Sequence, residues 1–342
     1  MTTISTNGQY HRMQVQNLSI QQRISEYGEQ VATGKKTGVY GGLGSDARQS
    51  IDLRSNVSEL DAYESNIQTA KLRVTSTVDA MDRITQIARD VHDEIIKLSS
   101  GNPPPDSTVV QHIAKNGFDE VVQLLNTKVD GRFIFAGSDI DHAPMADAKQ
   151  LFDDVAAQVT AYPGSGAAAT LAQTATTAAQ DAYFSPALGQ PDPSPLRARV
   201  DRNLDLSYQV RANGPDTPAG QLSPFREVLR GLATVANLSY DKTNPASFTD
   251  YKAMQDSTRL SLDAATESLD NHIGMLGNIQ SRMESISEKH KTTTVALKSS
   301  ISDIEDVDPA EVISKLQLAQ TQLQASYKVT ATLRQVSLVD FL

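Results

Sequence analysis

The strongest constraint on the fold is an apolar stripe that steps by three and four residues without a break. Such steps place side chains on one face of a helix and form a heptad seam, which another helix must cover. Two histidines on this stripe would lie about 27 Å apart along the helix, so they are predicted to be seam residues and not ligands of one metal. The stripe consists of Leu262, Ala265, Leu269, His272, Leu276, Ile279, Met283, Ile286 and His290.

The same periodicity recurs in three other segments. One stripe runs from Leu53 to Leu98 and shifts phase by one residue after Met81, which changes the local supercoil without ending a helix. Another passes through Val312, Leu316, Ala319, Leu323, Ser326, Thr330 and Leu333. The first in the chain passes through Tyr10, Met13, Asn17, Ile20, Ile24, Tyr27 and Val31. Its polar member, Asn17, either fixes the register of a buried seam or faces solvent at a frayed end.

Glycine, proline and capping residues mark where the helices stop and start. Residues 33–46 (TGKKTGVYGGLGSD) are too rich in glycine to continue a helix and form a predicted loop. Residues 100–106 (SGNPPPD) stop the second stripe. Ser223 and Asp308 each precede a proline and are predicted to cap the helices that follow.

The middle of the chain has a different pattern. Residues 131–137 (GRFIFAG) place three large apolar side chains between glycines and predict a short strand. Residues 204–211 (LDLSYQVR) alternate apolar with polar side chains, which predicts a half-buried strand. The stretch between them is rich in Ala, Thr, Gly and Pro and has little periodicity. We therefore predict a small inserted domain of strands and loops over residues 138–220.

These patterns together predict a mainly α fold. The expected architecture is an elongated antiparallel helical bundle or coiled coil formed by the N- and C-terminal segments, with the β-containing insert between them. The predicted domains are a terminal coiled-coil assembly domain (1–45 and 305–342), a helical rod (46–137 and 221–304) and the insert (138–220).

Composition excludes several classes of partner and site. The net charge is −10 and no stretch is densely basic, which argues against binding to nucleic acid or an anionic membrane. The absence of Cys excludes disulfides, thiolate metal sites and Cys nucleophiles. The first residues lack the apolar core of a signal peptide, and no 18-residue apolar window suits a membrane span.

No residue pattern predicts catalysis. Residues 28–37 resemble a phosphate loop, but five residues separate the glycines and the segment follows a helical stripe, so a plain loop is expected. The six histidines form no close metal pair. The acidic run in 303–308 lacks the central glycine of a calcium loop and is interpreted as helix-terminal charge on a solvated surface. No catalytic, cofactor-binding or metal-binding residue is predicted, no cofactor is expected, and an enzyme carried in the insert has no supporting residues.

The last residues of the sequence are apolar. Leu338, Val339, Phe341 and Leu342 are not followed by any charged segment. Burying a Leu or Phe side chain is worth ~1.5–3 kcal/mol, which offsets part of the entropy cost of ordering only when a neighbour supplies the covering surface. We therefore expect residues 1–45 and 305–342 to be largely disordered in an isolated molecule and ordered in an assembly.

Four segments resemble the bacterial flagellin superfamily. Residues 323–342 (LQASYKVTATLRQVSLVDFL) resemble its C-terminus, and residues 303–324 resemble the acidic segment that leads into its last helix. Residues 31–50 resemble its N-terminal Ser-Thr-Gly-Lys-Arg … Ser-Asp-Asp element. Residues 131–144 (GRFIFAGSDIDHAP) resemble the GRYIFAG segment of the members that join the hook to the filament. The similar regions cover roughly residues 1–144 and 223–342.

The resemblance implies a structural, non-enzymatic component of the bacterial flagellum at the hook–filament junction. It implies export by the flagellar type III system without a cleaved signal, and an extracellular location. The implied partners are further copies in a ring or tube, hook-associated protein 1, flagellin and an export chaperone. Assembly would use the terminal helices, with an interface predicted at Tyr10, Met13, Ile20, Ile24, Val31, Leu316, Leu323, Tyr327, Leu333, Leu338, Phe341 and Leu342.

Two alternatives stay open. Residues 38–44 and the insert depart from the superfamily pattern, which leaves room for a flagellin that forms the filament itself. The stripes alone also permit a cytoplasmic coiled-coil adaptor or signalling rod. Copy number per flagellum separates the first alternative from a junction protein, and detection on the cell surface would exclude the second.

Overall fold

The computed structural model describes residues 2–99, 107–161, 166–188, 195–214, 222–240 and 247–339. The chain divides into two compact units. The terminal unit combines Met1–Asp61 with Lys289–Leu342, and the central unit is the contiguous segment Ala62–Glu288. The described helices are α1 (Thr2–Thr33), α2 (Ala47–Ser99), α3 (Thr108–Leu125), α4 (Ala148–Thr160), α5 (Ala167–Ala178), α6 (Pro224–Asn237), α7 (Ser247–Glu305) and α8 (Pro309–Val339).

Helices α2 and α7 bury the stripes that the sequence predicts. On α7, Leu262, Leu269 and Met283 are fully buried. His272 is half-buried and its Nδ1 donates to the carbonyl oxygen of Ser268 at 2.6 Å. On α2 the buried set includes Ile67, Val74 and Met81 and then continues, after the shift in phase, with Ile84, Ala88, Val91, Ile95 and Leu98.

The polar residues on the α2 stripe have partners on α7. Ser287 Oγ donates to Glu64 Oε1 at 2.8 Å, and Lys71 forms an ion pair with Glu284. Both charged seam positions of the central unit, Glu64 and Lys71, therefore have a polar partner across the helix pair.

Helix α6 lies among α3, α4 and α5. It begins at Pro224, and Ser223 Oγ accepts a hydrogen bond from the backbone N–H of Arg226 at 3.4 Å, which confirms the predicted cap. A Cβ atom at Gly231 would lie 2.7 Å from Leu262 Cδ2, so a larger residue here would force the Leu262 side chain to shift. Helix α3 ends at Leu125, and Val129 lies beyond it in a short strand.

Two small antiparallel sheets lie in the central unit. Strands β1 (Lys128–Val129) and β2 (Arg132–Phe133) pair across a turn in which Asp130 and Gly131 both have positive φ. Strands β3 (Arg197–Asp201) and β4 (Leu204–Ser207) pair with Ala198 opposite Leu206. The predicted strand in 131–137 is thus limited to two residues, whereas the predicted alternation in 204–211 is confirmed by the burial of Leu206, Tyr208 and Val210.

The insert contains two helices that the sequence patterns did not predict. Helices α4 and α5 occupy much of the stretch that was expected to hold only strands and loops. Helix α4 buries Leu151, Val155 and Val159, which repeat every four residues. Helix α5 buries Thr170, Thr174 and Thr177 together with Ala167 and Ala178, so its inner face mixes hydroxyl and small side chains and has no stripe of large apolar residues.

Arg226 attaches this part of the insert to α6. Its Nη1 donates to the carbonyl oxygens of Ala178 and Gln180 at 2.9 and 3.0 Å, and its Nη2 forms an ion pair with Asp181. The guanidinium carbon lies 4.4 Å from the centre of the Phe184 ring. Burial lowers the pKa of Arg226, and the hydrogen bond that Arg226 donates to Asp181 opposes that shift.

In the terminal unit, α1 is followed by a 3₁₀ turn (Tyr40–Asp46) that lies within the predicted loop. Asp308 Oδ1 accepts hydrogen bonds from the N–H groups of Ala310 and Glu311 at 2.8 and 3.4 Å, which confirms the predicted cap of α8. The mainly α fold with a small β-containing insert is confirmed. The three-part domain division stays a prediction, and the break at residues 100–106 lies outside the described residues.

Candidate assembly interface

Helices α1 and α8 pack against each other as an antiparallel pair. Thr330 Oγ1 lies 3.9 Å from Met13 Sδ near one end, and Lys35 pairs with Asp306 near the other. The best-buried apolar side chains of the pair are on the predicted seams: Ile20, Val312 and Ala319 are 3, 4 and 3% exposed. The two terminal stripes therefore cover one another within a single chain.

The predicted interface residues fall into four groups. Ile20 is buried, and Met13, Ile24, Leu316 and Leu323 are half-buried on the seam. Val31 and Tyr327 are 39 and 49% exposed. Tyr10, Leu333 and Leu338 lie within α1 and α8, but their side chains are outside the described part of the structure. Phe341 and Leu342 lie outside the described residues.

Polar groups inside the pair set its alignment. Gln21 Nε2 donates to Tyr327 Oη at 2.8 Å, which joins the two helices across their groove. Asn17 is half-buried, and its Oδ1 is buried without a hydrogen-bond partner among the described residues. This burial favours the first of the two interpretations of Asn17, in which a seam asparagine fixes register at some cost in stability.

A second apolar set on the same two helices is exposed, and the sequence interpretation missed it. Val15 and Leu18 on α1 are 56 and 60% exposed. On α8, Leu318 and Val329 are 59 and 48% exposed and, about three turns apart, share one face. These four residues, named here the outward stripe, lie off the seams. The sequence signal that could have identified them is that they are large apolar residues at positions outside the heptad seams.

The acidic run at the end of α7 was expected to form a solvated surface, but part of it is buried. Glu305 is 6% exposed and lies among positive and hydroxyl groups of the terminal unit. Arg54 Nε and Nη2 donate to its two carboxylate oxygens at 2.8 and 2.6 Å, and Ser50 Oγ donates at 2.5 Å. These bonds, led by that from Arg54, lower the pKa of Glu305 to about 2 in spite of burial.

The described residues contain no metal-binding cluster and no helix suited to span a membrane. No group of three or more His, Asp or Glu side chains within them is placed to hold a metal ion. No described helix is long and apolar enough to cross a membrane. The terminal unit thus contributes three candidate features: its paired helices, the outward stripe and the buried carboxylate.

Comparison with known proteins gives relatives along nearly the whole chain. Flagellar hook-associated protein 3 of Escherichia coli K12 is 24% identical over 315 residues, which is 92% of this chain and 91% of that protein. Flagellar hook-associated protein 3 of Salmonella typhimurium is 23% identical over 337 residues, which is 98% of each.

A solved structure of a flagellar hook-associated protein from Vibrio parahaemolyticus has a similar fold. The TM-score is 0.55 at 13% identity, and the match covers 76% of this chain and 97% of that one. The sequence-family model for the bacterial flagellin N-terminal helical region matches residues 4–139. The sequence-family model for the bacterial flagellin C-terminal helical region matches residues 261–342. These two matches span more than half of the sequence and include both helices of the terminal pair, so the chain belongs to the bacterial flagellin family.

Proposed function

We propose that this protein is a structural component of the bacterial flagellum, located at the hook–filament junction and assembled through α1 and α8. The observation that carries the assembly role is the outward stripe, because a helix pair that already covers its own seams still exposes large apolar side chains. Relatives over nearly the full length are named flagellar hook-associated protein 3, which supports the junction and not another place in the flagellum.

The two apolar sets of the terminal unit have separate roles in this proposal. The seam residues, such as Ile20 and Leu323, hold the two helices of one subunit together. The outward stripe contacts neighbouring subunits and gains its stabilisation only in the assembly. The remaining predicted interface residues, Leu333, Leu338, Phe341 and Leu342, are included in this proposal because they are apolar in sequence.

Export and partners complete the proposal. The protein leaves the cell through the flagellar type III system, accompanied by an export chaperone, and is extracellular on the flagellum. It associates with further copies of itself in a ring or tube, and with hook-associated protein 1 and flagellin as neighbours. A chain without cysteine suits passage in an unfolded state, because no cross-link has to be broken.

A paired substitution in the outward stripe tests the assembly role. Leu318→Glu with Val329→Glu should leave the helical content of the purified protein unchanged and abolish swimming and filament attachment, since charge prevents burial against a neighbour. The exposed Gln317→Glu with Gln324→Glu provides the control and should swim normally. Truncation of residues 325–342 should act like the stripe variant. Normal motility in the stripe variant and the truncation would contradict the proposal.

A filament-forming flagellin is the second candidate. The matches to the flagellin helical regions favour it as much as a junction protein, because they describe both ends of the chain and not the insert. It predicts that purified protein polymerises into long fibres and is abundant in sheared filaments. A junction protein should not grow into fibres and should be present in few copies per flagellum.

A further inference from the structure

Two non-helical segments of the terminal unit are hydrogen-bonded to each other: one follows α1, and the other connects α7 to α8. The backbone N–H of Lys36 donates to the carbonyl oxygen of Glu305 at 2.7 Å, and that of Val307 donates to the carbonyl oxygen of Gly34 at 3.0 Å. Lys35 and Asp306 form an isolated antiparallel bridge between these bonds. The segment after α1 is thus paired with the turn between α7 and α8.

Lysine side chains reinforce this pairing. Lys36 Nζ donates to the carbonyl oxygens of Asp303 and Ile304 at 2.9 and 2.6 Å. These carbonyls belong to the last turn of α7, where intrahelical donors run out, so the lysine satisfies groups that a plain loop would leave to water. Lys35 Nζ lies 2.5 Å from Asp306 Oδ1 and 3.3 Å from Glu305 Oε2.

Glu305 joins a third segment to the same place. Its carboxylate binds Arg54 and Ser50 from the first turns of α2, and Ser50 is fully buried. A buried carboxylate is stable only while its partners stay in position, so the three segments hold or separate together. Glycine-rich linkers between independent helices have no such cross-connections.

We propose that residues 34–36, 50–54 and 303–307 form a latch with Glu305 at its centre, and that this latch is the inner limit of the part of the chain that loosens in an isolated subunit. Helices α1 and α8 open towards their free ends, while the latch remains closed. The loose segments are then shorter than residues 1–45 and 305–342, because their inner residues belong to the latch. This proposal does not depend on where the protein assembles.

Hydrogen exchange of the purified full-length monomer, read by mass spectrometry, tests the latch. In the unsubstituted protein the amides of Lys36 and Val307 should exchange more slowly than those of α1 and α8. Glu305→Gln should accelerate exchange at 34–36 and 303–307 about tenfold or more, since the open form gains population when a buried charged contact is lost. The core of the central unit should keep its protection.

A matched control removes an exposed ion pair of similar chemistry. Glu311 and Lys315 form an i, i+4 pair on the surface of α8 at 2.6 Å, and Glu311→Gln should leave exchange at the latch unchanged. The proposal is overturned if Glu305→Gln behaves like Glu311→Gln, or if the latch amides exchange as fast as those of α1 in the unsubstituted chain.

A second variant keeps the test decisive should Glu305→Gln not fold. Lys36→Met removes the bonds to the end of α7 and leaves no buried charge behind. Faster exchange confined to 34–36 and 303–307 in this variant supports the latch, and unchanged exchange there overturns it.

Discussion

Asn17 and Glu305 show how single polar residues act in the terminal unit. Asn17 interrupts an apolar seam with an unsatisfied buried oxygen, whereas the buried Glu305 carboxylate accepts hydrogen bonds from Ser50 and Arg54. An unsatisfied buried acceptor destabilises, and a satisfied carboxylate stabilises as long as it is ionised. Asn17 therefore favours one alignment of α1 with α8, and Glu305 stabilises the connection of its own segment with residues 50–54.

Replacing the seam asparagine should strengthen the helix pair. Asn17→Leu removes the unsatisfied oxygen and adds apolar burial, and we expect it to stabilise the terminal unit by about 1 kcal/mol. Urea unfolding followed by circular dichroism measures the gain. The exposed Gln16→Leu on the same helix is the control, and an equal gain in both variants would refute a seam role for Asn17.

The lowered pKa of Glu305 predicts a specific pH dependence. Its ordinary value of 4.5 applies when the chain is unfolded and about 2 when it is folded, so its contribution is complete above pH 4.5 and is lost as the pH falls towards 2. The free energy of unfolding of the natural protein should exceed that of Glu305→Gln by about 2 kcal/mol at neutral pH, allowing for its half-exposed cations. The difference should shrink below pH 4.5, and a constant difference down to pH 2 would contradict this account.

At the scale of elements, the sequence predicted the helices that bury apolar stripes. The sequence predicted the seams of α1, α2, α7 and α8 and the caps at Ser223 and Asp308, because heptad spacing and capping residues are local signals. The sequence did not predict helix α5, because its buried residues are threonines and alanines and not large apolar side chains. Thr170 Oγ1 donates within the helix, to the carbonyl oxygen of Gly166 at 3.0 Å. The sequence also did not predict the partners of Glu305, because Arg54 is distant from it in sequence.

Close packing between α6 and α7 gives a prediction about glycine. Gly231→Ala should destabilise the central unit, because a clash with buried Leu262 costs about 1–3 kcal/mol and outweighs the gain of about 1 kcal/mol in helix propensity. Gly274 on α7 has no neighbour within 4 Å of an added Cβ, so Gly274→Ala should stabilise the protein. Thermal unfolding compares the two, and a shift of the same sign in both would contradict the packing argument.

On the scale of the whole molecule, the two units differ in how the chain builds them. The central unit is contiguous and contains the large buried cluster from Ile67 to Met283. The terminal unit requires both ends of the chain. The central unit should therefore fold independently, since a contiguous core can form without distant segments.

A fragment of residues 62–288 should therefore fold alone. We expect cooperative thermal unfolding and near-ultraviolet circular dichroism typical of fixed side chains. Residues 1–61 alone lack the partner segment 289–342 and should show little stable helix. A molten 62–288 fragment, without a cooperative transition, would show that the central core depends on the terminal unit.

The contacts between α1 and α8 join residues that are more than three hundred positions apart, such as Gln21 with Tyr327. High contact order delays such pairing, and a chain that emerges with its N-terminal end first presents α1 long before α8 exists to meet it. The pair of α1 and α8 is thus completed last, and in the proposed assembly this order would keep nascent subunits from joining one another before each is whole.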